Sequence, residues 1–182
     1  IFKQGVAIAL VGGMMEAAVS GLFALFAQDR GISVGQTADL LVVFGVGGLL
    51  LQYAVGWLAD HRGLGTAAVS CAVGTALAAA SLSMPLTYLQ TGVGVFLLGG
   101  FITSFLTLAL IASTKTSSGD IVSNVSMVSM LYTVSAIVGP LVAGASMNAS
   151  HGDALMWFTS TASLALVGVL VWLAVPRPQA AL

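Results

Sequence analysis

The chain has 182 residues, of which 5 are basic and 6 acidic, and 58% are hydrophobic before its 22 glycines are counted. Charged residues make up 6%, against about 25% in soluble domains, too few to cover a water-facing exterior; a mean hydropathy of +1.07 excludes intrinsic disorder, which needs low hydrophobicity and high charge. The net charge of −1 offers no basic footprint for nucleic acid, and Cys71, the single cysteine, forms neither an internal disulfide nor a cysteine metal site.

The gaps between charges divide the chain. Leu40–Ala59 is uncharged over 20 residues, Gly63–Thr114 over 52, Ile121–Gly152 over 32 and Ala154–Pro176 over 23. A spanning helix needs about 20 apolar residues. The longest run therefore holds two helices, divided at Met84-Pro85-Leu86-Thr87-Tyr88, where proline stops a helix. The predicted helices are 5–27, 38–59, 65–83, 89–113, 121–146 and 154–175. The expected fold class is an all-α membrane protein: one six-helix transmembrane domain over residues 1–182. The runs are too long and too uniformly apolar for the alternating strands, roughly 10 residues each, of a membrane β-barrel.

The first helix carries Glu16, which is 13 positions from both Lys3 and Asp29, or about 20 Å of helix each way. It therefore falls near the membrane midplane. An acid there costs roughly 2.5–3.5 kcal/mol on the insertion scale and ordinarily faces a water-filled cavity or a partner. Its helical neighbours Gly12, Gly13 and Ser20 make a narrow, polar-tolerant face. The chemistry indicated is a proton-binding or substrate-binding carboxylate; the alternative is a glutamate hydrogen-bonded to a neighbouring helix.

In the second helix Gln52 shares a face with Gly45, Gly48 and Gly56. Small residues admit a close helix and an amide bonds across it, so this face reads as a packing seam or a binding position. The third helix, with Ser70, Gly74 and Ala78 four apart, is a packing surface. The fourth carries Thr103, Ser104 and Thr107. The fifth carries Ser123, Ser126, Met130 and Thr133 on one stripe, with Tyr132 beside it. Such hydroxyls often bond back to their own helix. Met127, Met130, Met147 and His151 could suggest a soft-metal path for copper, against which stands the common use of methionine as a gap filler. His61 and His151 fall in predicted loops, and neither has a second histidine or cysteine at ligand spacing. No metal and no cofactor are expected.

Six spans place both termini on one side, with Lys3, Arg62, Lys115 and Arg177, and leave Arg30 on the other. By the positive-inside rule both ends are cytoplasmic. Ile1 is not a start methionine, so either the N-terminus has been removed or the chain belongs to a longer one.

The segment after the second helix reads Gly56-Trp57-Leu58-Ala59-Asp60-His61-Arg62-Gly63-Leu64-Gly65. It resembles the signature loop of the major facilitator superfamily, G-x-L-a-D-r-x-G-r-[RK]. Gly56, Leu58, Ala59, Asp60 and Gly63 match, whereas His61, Leu64 and Gly65 stand at the family's other basic positions. Gly139-Pro140-Leu141-Val142-Ala143-Gly144 is similar to the family's G-P-x-x-x-G helix-packing motif. A degraded loop copy, six spans and cytoplasmic ends imply the C-terminal half, helices 7 to 12, of such a transporter, built from two inverted three-helix repeats. VGGMM at 11–15 echoes VGGLL at 46–50 but is too short to count as a repeat.

The resemblance implies secondary transport of a small solute by alternating access and no enzyme activity; with the reading of Glu16 above, that residue would couple a proton or hold the substrate. The resemblance places Glu16, Thr103 and Thr107 on the cavity. Gln52 with its glycines and Met130 with Thr133 would face the other half, and the third helix would lie outside. Asp60, Arg62, Gly56 and Gly63 would form a cytoplasmic gating loop. The implied partners are a small-molecule substrate, protons, lipid and the N-terminal half or a second copy. The implied location is a bacterial cytoplasmic membrane. The competing reading is a transporter-like accessory or assembly subunit of a larger membrane complex. Rhomboid-type protease, aquaporin and phosphate-loop signatures do not occur in the chain.

Overall fold

The computed structural model describes residues 1–116, 120–150 and 153–174, with the backbone alone for 149 and 150. It contains α1 (Phe2–Asp29), α2 (Val34–Arg62), α3 (Leu64–Leu82), α4 (Tyr88–Thr114), α5 (Ile121–Ser150) and α6 (Ala154–Ala174). All six are long and apolar enough to cross a membrane. His151 and Arg177 lie outside the described residues.

The helices mostly run longer than the charge gaps predict, and the local chemistry explains where they stop. α2 starts at Val34 because Ser33 caps it. The Ser33 hydroxyl accepts from the Gln36 N–H at 3.3 Å, and the Gln36 side-chain oxygen accepts from the Ser33 N–H at 3.2 Å. Thr87 and Gln90 repeat this reciprocal box at the start of α4, at 3.4 and 3.0 Å. Each box satisfies two of the N–H groups that a helix start leaves orphaned.

At its other end α2 runs on to Arg62, and a single residue, Gly63, separates it from α3. Gly63 has φ +89° and ψ 154°, a conformation essentially restricted to glycine. Most of the expected loop, Gly56 to Arg62, is thus the last turns of α2. His61 is helical, a correction to the loop placement. The two residues His61 and Arg62 close the helix because basic groups suit its negative end.

α1 and α4 occupy the centre and touch each other. α5 packs on α1, and α2 on α4. α3 and α6 pack on each other, with α3 also against α4 and α6 also against α1. Exchanging α1 with α4, α2 with α5 and α3 with α6 leaves this set of neighbours unchanged, the pattern of two related three-helix repeats. Phe23, Phe26, Ile102, Phe105 and Leu108 are among the fully buried core side chains. α2 and α5 are the least buried helices. They leave Val42, Leu49 and Tyr53 on one side, and Met130, Ile137 and Leu141 on the other, exposed.

The ends of the bundle are charged. Lys3 and Lys115 line one cleft of about 400 Å³, and Lys115 Nζ lies 3.5 Å from Asp60 Oδ1. Three basic residues (Lys3, Arg62 and Lys115) therefore share one end. At the other end Arg30 fastens three connections. Its Nε and Nη2 donate to Asp153 Oδ1 at 3.0 and 2.5 Å, and its Nη1 donates to the Met84 carbonyl at 2.9 Å. The guanidinium also sits 5.1 Å from the Phe26 ring centre. Exposed Trp157 and Trp172 stand about 22 Å apart along α6, each toward one of its ends.

Candidate functional site

Glycine builds the site before any polar group does. A Cβ on Gly12 would meet Phe105 Cβ of α4 at 2.6 Å, and one on Gly13 would fall on the Tyr132 carbonyl oxygen and the Ser135 hydroxyl of α5. α5 therefore reaches α1 nearly backbone to backbone at Tyr132. Glu16 lies three residues beyond Gly13 on the same helix face. The Tyr132 hydroxyl donates to Glu16 Oε2. Ser135 Oγ adds a bond to the Ala9 carbonyl at 3.3 Å. Both Glu16 and Tyr132 are half-buried, and no lysine or arginine occurs within the apolar lengths of α1, α3, α4, α5 or α6.

The repeat-related contact, α2 on α4, is built the same way. A Cβ on Gly47 would fall on the Phe96 carbonyl oxygen, and one on Gly99 on the Phe44 carbonyl oxygen. Across this contact Gln52 Nε2 donates to Thr107 Oγ1. Gln52 is therefore turned into this bundle rather than outward, because the glycines draw α2 onto α4. Gly48 packs against Thr103, whose Oγ1 bonds back to the Gly99 carbonyl at 2.9 Å. A Cβ on Gly45 or Gly56 would meet nothing within 4 Å, so no helix of this bundle approaches them. Met130 and Thr133 are exposed on α5.

At the α2–α3 turn Asp60 meets Lys115, while Arg62 is exposed beside it. His61 stacks on Trp57, ring centres 4.2 Å apart, with Nδ1 2.9 Å from the Trp57 carbonyl. In the Gly-Pro motif, Gly139 lies against the Met14 carbonyl oxygen, which a Cβ would strike. Pro140 stands inside the helix and supplies no N–H to the preceding turn. Gly144 is looser, with Leu22 at 3.9 Å from its Cβ position. Among the described residues no cluster of histidine, cysteine and carboxylate groups could hold a metal ion.

The structure thus joins Glu16 to Tyr132 and Gln52 to Thr107, while Met130 stands apart from both pairs. Sequence reasoning singles out Glu16 but not its partner. The available signal is that Tyr132 is the one tyrosine within the apolar length of the fifth helix. Sequence reasoning also misses the role of Arg30, because the charge bias assigns that residue a side of the membrane and nothing more.

No curated protein matches the chain. The family model described as Major Facilitator Superfamily matches residues 6–182, and its members are membrane transporters that move small molecules. With six apolar helices in two related repeats and that match over nearly its whole length, the chain belongs to the Major Facilitator Superfamily.

Proposed function

We propose that the chain is the C-terminal six-helix half of a twelve-helix secondary transporter. It works by alternating access, with Glu16 carrying a proton or holding the substrate. The observation that carries this reading is Glu16 itself: a carboxylate at mid-depth, half-buried, hydrogen-bonded to Tyr132. Intramembrane ionisable groups mark proton relays and substrate paths. Gln52, Thr103 and Thr107 extend the polar lining toward the Asp60 end, and Met130 belongs to the open α5 face. That face and the matching face of α2 are the surfaces for the N-terminal half or a second copy. Asp60, Arg62, Gly56 and Gly63 form the gating turn on the cytoplasmic side. Gly139, Pro140 and Gly144 shape the α5 contact. The end holding Lys3, Arg62 and Lys115 faces the cytoplasm by the positive-inside rule, in a bacterial cytoplasmic membrane.

The test is uptake by the full protein in liposomes, with and without a pH gradient, across labelled organic cations, organic anions and sugars. Glu16→Gln is expected to abolish accumulation against a gradient and to leave the bundle folded. A variant that still accumulates solute with unchanged pH dependence would reduce Glu16 to a structural hydrogen-bonding group.

A further inference from the structure

We infer that Tyr132 is a positioning residue that couples the state of Glu16 to the placement of α5, and so to the open face of the half. The inference rests on the proposed role of Glu16 and adds the route by which an event at that carboxylate leaves it.

α5 is the least buried helix and packs mainly on α1. Four of its attachments to α1 are the close approaches at Gly13 and Gly139, the Ser135 bond to the Ala9 carbonyl at 3.3 Å, and the Tyr132 bond to Glu16. The first three join backbone and neutral groups, so protonation or substrate leaves them as they are. The fourth ends on a group that changes charge. A carboxylate accepts the phenol O–H in a charge-assisted bond, roughly twice as strong as a neutral one. Protonation removes that assistance, and a substrate that takes the Glu16 oxygens displaces the phenol. Either event loosens the α1–α5 contact at mid-depth.

The rest of the geometry turns this into movement. Gly139 is fixed against Met14, and the Pro140 that follows breaks the ladder of backbone bonds. The segment before it, 121–138, stays seated on α1 at Gly13 and Ser135, and weakening the Tyr132 tie shifts its tilt about that point. Its far side carries exposed Met130, Val134 and Ile137, so a tilt set at Tyr132 is felt on the open face. Among the described residues, no competing charge lies along the middle of the helices that pack on α1. α1 has no other charged residue between Lys3 and Asp29. α4 and α6 have none along their lengths, and Tyr132 is the only titratable group of α5 in its span. The charges of α2 (Asp39, Asp60 and Arg62) lie toward its two ends.

The experiment measures spin-label distances in the full protein in liposomes, across a pH titration. Labels go on cysteines at Val122 of α5 and Leu77 of α3, both exposed, in a Cys71→Ala background with other cysteines removed. The parent is expected to show a pH-dependent shift in distance, and Tyr132→Phe and Glu16→Gln are each expected to lose it. The double variant should match either single one. Glu16→Asp, which keeps the charge but draws it back from the phenol, should lose most of the shift and guards against misfolding of the phenylalanine variant. If Tyr132→Phe keeps the shift and Glu16→Gln loses it, Tyr132 is merely structural and the role of Glu16 stands. If both variants keep the shift, the reading of Glu16 falls as well. A parent distance that does not move with pH overturns the inference outright.

Discussion

Gly139→Val is expected to pull α5 off α1. The new Cβ would occupy the place of the Met14 carbonyl oxygen. That atom is backbone in a continuous helix, so no rotamer relieves the clash and the two helices must separate. Overpacking of this kind costs roughly 1–3 kcal/mol and sometimes more. In a bilayer the loss is felt fully, because helix association there depends on close van der Waals contact. Gly13→Val should do the same from the α1 side, where the Tyr132 carbonyl oxygen is in the way, and should also part Tyr132 from Glu16. Gly144→Ala is the control: its Cβ would meet only Leu22, at 3.9 Å, an ordinary contact. Thermal unfolding in detergent distinguishes the three. A Gly139→Val protein that melts with the parent would contradict the backbone contact.

Arg30→Ala is expected to cost roughly 1–2 kcal/mol, less than the nominal worth of three hydrogen bonds from a charged group. The reduction follows from exposure: the side chains of Arg30 and Asp153 are 25% and 49% accessible, so water and salt screen the pair. Arg30→Lys should recover little, because an ammonium is a point charge and cannot serve the Asp153 carboxylate and the Met84 carbonyl in the fork geometry of a guanidinium. At the opposite end Asp60→Asn should change stability by less than about 0.5 kcal/mol, since Asp60 and Lys115 meet at 3.5 Å with 67% and 47% of their side chains accessible. Denaturation of the variants side by side checks the ranking. Equal stability of Arg30→Lys and the parent would show that the fork geometry contributes nothing.

The six spans are legible in the sequence because charge is so scarce that every charged residue marks an end or an exception. Glu16 is legible as the exception. The helix start at Ser33 escapes a reading that sets boundaries by the apolar run, although its box with Gln36 is written in the chain; at α4 the break at Pro85 brings the same reading to within one residue of Tyr88. The packing seam at Gln52 is legible in its glycine face: Gly48, four residues before it, packs on Thr103 of α4, and the amide bonds across to Thr107. Its assignment to the other half follows from the resemblance and not from these residues. Pairs such as Glu16 with Tyr132 and Arg30 with Asp153 span 116 and 123 residues. They depend on which helices become neighbours, and no local pattern records that.

The one-residue connection at Gly63 fixes the C-terminal end of α2 and the N-terminal end of α3 at one depth. α2 has 29 residues and α3 has 19, about 43 Å and 28 Å of helix, against a hydrocarbon layer of about 30 Å. Sharing one end, the two helices cannot split the difference: the whole excess of α2 emerges at the Arg30 end or is absorbed by tilt. A longer helix adapts to a thicker bilayer by tilting less, whereas one barely long enough has no such reserve. α3 therefore acts as the gauge of the fold. The hydrophobic mismatch that this protein tolerates is set by its shortest helix, and the leash at Gly63 passes any strain on α3 directly to α2.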